Sequence, residues 1–421
     1  MTLTGPCNAP DGVDVVALGE SMVTFLPSRP GRLADVPSFE RGIGGAESNV
    51  VCGLAAAGHA VRWVSRVGAD GFGDHLVEAI GGYGVDVSAV RRDPVRPTGV
   101  YFRTAGDRAT DAHEVAYYRA GSAASAMSAA NVDLRAVRSG RVLHLSGITA
   151  ALSDDCLGLM RELTAPRPGR PLVSFDVNHR SGLWRDADGP RVLLELARGA
   201  DVVFVGEDEA EEAWGITGGP DAVRAVLPEP HVLVVKQGGV GATAFVSAAG
   251  SSWLVAQFPA PLGSADNPPS QAVDGASPSR LAQAAGNRAA GAAPVPQKGG
   301  TPQAPGRATH PRPASTPGTS QPTVFVPAPT VKVAAATGAG DAFAAGFLSA
   351  TLRELPLRDR LRHGHLWAAA TLTAPGDLAA PPARDTADRL AALDDTAWGK
   401  LRLGPGWTQA TERAAEEVRT P

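Results

Sequence analysis

The chain has 421 residues, enough for one large domain or two to three small ones, and a hydrophobic fraction of 43% that can build a sizeable core. Its net charge of −4 gives no electrostatic reason to expect nucleic acid or an anionic membrane as partner. Three cysteines, Cys7, Cys52 and Cys156, lie far apart without a CxxC pair, which argues against a disulfide framework or a zinc site and fits a reducing compartment.

Residues 1–13 are polar and hold two prolines, with no basic stretch followed by an apolar one, so no secretory signal is expected. No apolar run approaches the ~18 residues that a membrane span needs. A cytoplasmic location is the expectation.

Next come short runs rich in Val, Ile and Leu, separated by helical text. Val13–Leu18, Arg141–Leu145, Leu172–Asp176, Asp201–Val205 and Val232–Val235 read as buried strands. Continuous β-branched runs suit strands covered on both faces, as in a parallel sheet. Glu47–Ala57, Asp155–Leu163, Gly189–Arg198 and Asp208–Trp214 read as helices, and the alternation predicts an open α/β sheet. Ala34–Arg41 and Gly99–Arg119 are polar, aromatic and non-helical, and could form a small separate sheet.

From Ala260 to Pro322 the chain is Pro, Ala, Gly, Ser, Thr and Gln with no Phe, Trp or Tyr, a composition that cannot offset its own ordering entropy. It is expected to be a disordered insertion in a surface loop, between the strand-like runs Trp253–Phe258 and Val324–Val326. After Pro381 a partly helical tail (Thr386–Leu393) follows. His363 and His365, two apart on a helix, point different ways and are expected to be solvated or packing residues.

Chemistry concentrates at Thr337-Gly338-Ala339-Gly340-Asp341, which opens a helix marked by Phe343, Phe347, Leu348 and Leu352. Small residues at a helix N-terminus aim backbone N–H groups at an anion. A carboxylate there opposes simple phosphate holding. It suits a base that takes a hydroxyl proton while the N–H groups stabilise a transferring phosphoryl group. From spacing alone, Asp341 reads equally well as a helix cap beside a packing glycine. No Walker A motif, protein-kinase motif set or GxSxG elbow is present. A second glycine cluster, Gly42-Ile43-Gly44-Gly45 leading to Asn49, could contact a polar ligand, or could simply be a tight turn with close helix packing.

Together these two elements resemble the paired signatures of the ribokinase-like (PfkB) carbohydrate kinases: GGAESNVVCGLAAAGHAVRWVSRVGADGFGD from Gly44 and TGAGDAFAAGFL from Thr337. Between them, VVKQGGVGATAF (Val234–Phe245) resembles the family's ATP-side loop and VFVGEDEAEEAWG its NxxE element. Within the family, TGVYFRT, YYRAGSAAS and FDVNHRSGLW are most similar to the 2-keto-3-deoxygluconate kinases.

The resemblance implies a ribokinase-like α/β fold over residues 12–388, with a β lid from parts of 20–45 and 97–119, the insertion at 260–322 and a tail at 389–421. It implies ATP and Mg²⁺, with Asp341 as base and Gly338, Ala339 and Gly340 as phosphate-binding N–H donors. Lys236, Gly238 and Gly241 would lie on the nucleotide side, with Glu209 an indirect metal partner. Gly44, Gly45, Asn49, Tyr101, Tyr117, Arg119, Asn178 and Arg180 would face the sugar. Arginine suits a sugar acid because its planar fork grips a carboxylate, though each arginine alone reads as a surface charge or a structural ion pair. Two other readings stand beside this one: a kinase of a neutral sugar such as fructose or ribose, and a catalytically weak sugar- or nucleotide-binding protein. The last follows from departures in the family pattern, with Ala335 and Ala336 where the family has Asp-Thr, and Gly206 where it has Asn. Small molecules, not nucleic acid or membrane, are the expected partners, and homo-oligomerisation is compatible with the sequence.

Overall fold

The structure is a computed structural model that describes residues 12–104, 114–184, 188–247, 323–335 and 337–409. The insertion at 260–322 and the run Trp253–Phe258 lie outside the described residues, as do Cys7, Ala336 and residues 410–421. The strands are β1 (Val13–Leu18), β2 (Met22–Pro27), β3 (Phe39–Gly44), β4 (Val61–Val64), β5 (Arg66–Gly68), β6 (Arg91–Asp93), β7 (Val100–Arg103), β8 (Val115–Tyr118), β9 (Gly140–Ser146), β10 (Leu172–Asp176), β11 (Val202–Gly206), β12 (Val232–Lys236), β13 (Gly241–Val246), β14 (Thr323–Pro327), β15 (Thr330–Val331) and β16 (Arg402–Leu403). The main helices are α1 (Ala46–Ala56), α2 (Gly71–Gly82), α3 (Asp154–Thr164), α4 (Gly189–Arg198), α5 (Glu207–Trp214), α6 (Gly219–Val226), α7 (Ala339–Leu352), α8 (Leu357–Leu372), α9 (Arg384–Ala391) and α10 (Asp395–Gly399).

Eight strands form the central sheet in the order β14-β13-β12-β11-β10-β9-β1-β4. From β4 to β12 every neighbouring pair is parallel, and β13 and β14 close the edge antiparallel. The parallel strands are mostly apolar because alternate side chains enter two different cores. Phe204, Val232 and Val234 join α1, α7 and α8 on one face, while Val203, Val205, Leu233 and Val235 join α3, α4 and α6 on the other. The fold is ribokinase-like, an α/β sandwich with a mostly parallel sheet, as expected.

A separate four-stranded sheet has the order β3-β2-β7-β8. It is pinned on one face by aromatic packing, with Phe102 stacked on Phe25 at 4.8 Å and edge-on to Phe39 at 5.1 Å. This is where the lid was expected, and its strands come from both segments named for it.

One expectation changes. Residues 389–409, set apart as a tail, pack on the domain: Trp398 of α10 is buried and donates its indole N–H to the Pro327 carbonyl at 2.8 Å, and β16 pairs with β15. Of the two readings for His363 and His365, packing holds, since both are buried. His363 Nε2 lies 3.1 Å from Asp388 Oδ1, and His365 Nε2 lies 3.1 Å from the Val326 carbonyl. No helix among the described residues is long and apolar enough to cross a membrane.

Candidate active site

The C-terminal ends of β10 and β12, the start of α7 and the inner face of the lid enclose a cavity of about 1080 Å³. Ligands of open α/β sheets gather at this edge. Gly338, Ala339, Gly340 and Asp341 form its floor. Gly338 sits in the left-handed region (φ 78°) as the N-cap of α7, and a Cβ there would overlap the Asp377 carbonyl oxygen. Glycine is therefore required twice over, by backbone angle and by close approach. Asp341 lies in the first helical turn, and its Oδ2 accepts a hydrogen bond from Asn49 Nδ2 at 2.8 Å. Burial pushes the Asp341 carboxyl up to about 7; the Asn49 bond opposes that rise, and the charge of Asp176 adds to it. A carboxyl group poised near neutrality suits a general base.

Lys236 ends β12 and donates to both carboxylate oxygens of Asp176, at 3.1 and 3.0 Å. Burial pulls its ammonium down, but the Asp176 and Glu209 carboxylates outweigh that and hold it above its usual value. The ammonium lies beside the Gly338–Asp341 turn, 3.5 Å from where a Cβ on Gly340 would stand. Asp176, which the sequence reading passed over, thus faces the centre of the site. Glu209 also lines the cavity, but its Oε2 accepts the Gly206 N–H at 2.7 Å and so caps α5. Burial lifts its carboxyl above the usual range against the pull of Lys236. Gly238 and Gly241 do not line this cavity. They shape the β12–β13 hairpin, with φ 55° and 153°, and a Cβ on Gly241 would strike β14.

The lid wall carries Tyr101, Tyr117 and Arg119. The Tyr101 and Tyr117 rings lie 5.4 Å apart, and the Arg119 guanidinium lies 5.8 Å from the Tyr117 ring centre. The Tyr101 hydroxyl donates to Asp377 Oδ2, and burial together with the Asp377 charge raises its pKa. Arg119 lines the cavity, but as half of an ion pair, the structural alternative that the sequence left open for it. Its side chain is 9% exposed and ion-paired with Glu20, which is 1% exposed and also accepts from the Ser122 hydroxyl. Gly44 and Gly45 open α1, where a Cβ on Gly44 would overlap the Tyr101 hydroxyl and one on Gly45 the Glu20 carbonyl. Asn49, expected on the sugar, lines the cavity and donates to Asp341, and its Oδ1 is buried without a partner. Across the cavity, Asn178 holds φ 41°, a left-handed angle that asparagine tolerates. Arg180 is 53% exposed, donates to the His179 carbonyl at 2.8 Å and stands 3.7 Å from Glu209.

The Gly338–Asp341 turn and the lid residues Tyr101, Tyr117 and Arg119 thus line one cavity. The family model of the pfkB carbohydrate kinases matches residues 13–261 and 315–384. The chain belongs to the pfkB family of carbohydrate kinases. The 2-dehydro-3-deoxygluconokinase of Thermoproteus tenax is 34% identical over 236 residues, 55% of this chain and 72% of that protein. The same-named protein of Bacillus subtilis is 36% identical over 209 residues, 48% of this chain and 63% of its own length. Plant fructokinases match as well. Among solved structures, a PfkB protein from Polaromonas sp. JS666 superposes with a TM-score of 0.62 at 28% identity, covering 85% of this chain and 95% of its own.

As a pfkB kinase the chain is an ATP-dependent sugar kinase. Two of the departures from the family pattern are visible in the structure. Ala335 is buried, and its amide points to the Leu372 carbonyl at 3.3 Å. At Gly206 a side chain would first meet Asp208, whose flexible end can give way.

Proposed function

We propose that this kinase transfers the γ-phosphoryl group of ATP to the 6-hydroxyl of 2-keto-3-deoxygluconate. The observation that carries the chemistry is the position of Asp341, a carboxyl near neutrality at the cavity floor beside the N–H groups of Gly338, Ala339 and Gly340. The sugar hydroxyl gives its proton to Asp341 as it attacks. The turn's N–H groups and the Lys236 ammonium stabilise the negative charge on the phosphoryl oxygens. Asn49 holds the carboxylate in one orientation during this step. The lid excludes water that would otherwise accept the phosphoryl group. Gly238 and Gly241 would act on the nucleotide side from the β12–β13 hairpin that they shape.

A magnesium ion fits this arrangement. No cluster of three or more His, Cys, Asp or Glu that could hold a metal occurs among the described residues. Magnesium bound through phosphates and water needs only one or two carboxylates, and Asp176 and Glu209 both face the cavity. When bound, it would neutralise charge on the phosphate oxygens.

The sugar-acid assignment rests on Arg180 rather than on Arg119. Arg180 is the more exposed of the two and has the looser ion pair, so its guanidinium can take a carboxylate. The Glu20–Arg119 pair, with no net charge, reads hydroxyl groups. That neutralised pair also favours a second reading, a neutral-sugar kinase. A coupled ADP-release assay over 2-keto-3-deoxygluconate, gluconate, fructose and ribose separates the two. The acid should give the highest kcat/KM. A preference for fructose or ribose would reject the acid, and binding without turnover would reject the kinase step. Cys52 and Cys156 are free and buried, which supports our inference of a cytoplasmic reaction.

A further inference from the structure

We propose that Asp377 is a positioning residue that joins the sugar-side strand β7 to the phosphate-side turn, so that the two halves of the site are assembled through one carboxylate. This rests on the reading above in one respect, that Tyr101 faces the sugar. Asp377 lies in the loop after α8, and its side chain is 2% exposed. One carboxylate oxygen pairs with Arg103 and the other accepts the Tyr101 hydroxyl. Tyr101 and Arg103 are two apart on β7 and so project to one side of the lid. The backbone of the same residue closes against Gly338, where any Cβ would overlap its carbonyl oxygen. A Cβ on Gly44 would stand 2.8 Å from Asp377 Oδ2. One residue thus touches the lid strand, the glycine entry to α1 and the turn that carries Asp341.

Core stability is a weak reason for this arrangement. Both ions are taken out of water, and buried ion pairs are often replaceable by apolar residues without loss of stability. A charge pair fixes direction and distance in a way that an apolar contact does not. Reacting groups displaced by about 1 Å lose on the order of 10² in rate, which gives a carboxylate clamp at this junction its use.

The test is kinetic and uses whichever sugar the wild-type enzyme turns over fastest. A neutral-sugar preference would therefore reject the substrate assignment and leave this test intact. Asp377→Asn and Tyr101→Phe should each raise the sugar KM about tenfold, the scale of one lost hydrogen bond, with the ATP KM within about twofold. Their combination should be no worse than the worse single variant, because both break the same link. Arg103→Met with Asp377→Leu removes the charges as a pair. It should keep the melting temperature near wild type while retaining the raised sugar KM. A merely structural residue would lower the melting temperature and leave the KM values unchanged. Additive effects of Tyr101→Phe and Asp377→Asn, or a wild-type sugar KM in the Met/Leu variant, would overturn the proposal. Should Asp377→Asn fail to fold, Tyr101→Phe and the Met/Leu variant still decide it.

Discussion

Asn49 and Asp341, 292 positions apart in the chain, meet through a 2.8 Å hydrogen bond from the amide to the carboxylate. The bond links the N-terminal glycine element to the C-terminal one at the carboxylate proposed as the base. Asp341→Asn should therefore abolish turnover, by at least the 10²–10⁴ that general-base loss typically costs, while ATP binding persists in calorimetry. Asn49→Ala removes a bond that favours the charged carboxylate. The acid limb of its pH–rate profile should move to higher pH, and an unmoved limb would show that Asn49 does not act on the base.

Titration of Asp341 gives two linked expectations. As a base it must be ionised, so kcat/KM should rise with pH and level off above about 7. Stability runs the other way. The folded protein holds this proton more tightly than the unfolded chain, whose aspartates titrate near about 3.9. Between those two values the folded state binds more protons, so stability falls as pH rises through this window. Asp341→Asn stays neutral and should melt higher than wild type at pH 8, with the gap closing towards pH 4. A pH-independent gap would refute the raised carboxyl.

The two arginines should separate. Arg180→Ala should cost roughly 10- to 150-fold in kcat/KM for the sugar acid, the range for a charge-assisted hydrogen bond, and far less for fructose. Arg119→Ala leaves Glu20 buried without its cation. It should lower the melting temperature and harm acid and neutral sugars alike. Comparing both variants on both sugar classes checks this, and equal selectivity changes would count against the assignment of Arg180.

What was legible in the sequence was local. The turn at Gly338–Asp341 advertises itself by small residues and a carboxylate within one helical turn, and the glycine pair before α1 does the same. The parallel strands were legible because burial on both faces forces continuous apolar text. Strand direction was not, since the same text serves the antiparallel β13. The ion pairs that settle the site were hidden because their partners are distant: Glu20 with Arg119, Asp176 with Lys236, and Arg103 with Asp377. Nothing near Glu20 or Asp377 in the chain signals such a partner. Asp176 alone gave a hint, as the acid ending a core strand.

Gly338→Ala should be among the most damaging single changes of one methyl group. The left-handed backbone and the abutting Asp377 carbonyl both forbid it. The turn must shift, and phosphoryl transfer should fall on the order of 10² for a displacement of about 1 Å. Gly340→Ala meets only the Lys236 ammonium at 3.5 Å and should be much milder. Steady-state kinetics of the pair give the comparison directly.

The pairing of β13 with β14 places Phe245 directly opposite Thr323. Two residues that are cross-strand neighbours are thus the ends of a link of roughly 80 residues, and the sheet edge is sealed without regard to what fills the gap. By length alone, closing such a link costs about 0.6 kcal/mol more for each doubling. A link of roughly twenty residues in its place would save about 1 kcal/mol of closure entropy. Replacing residues 260–320 with a short Gly/Ser turn should therefore raise the melting temperature rather than lower it. The same adjacency makes this edge a port, a place where the chain can accept a foreign domain between two fixed posts without disturbing the register of the sheet.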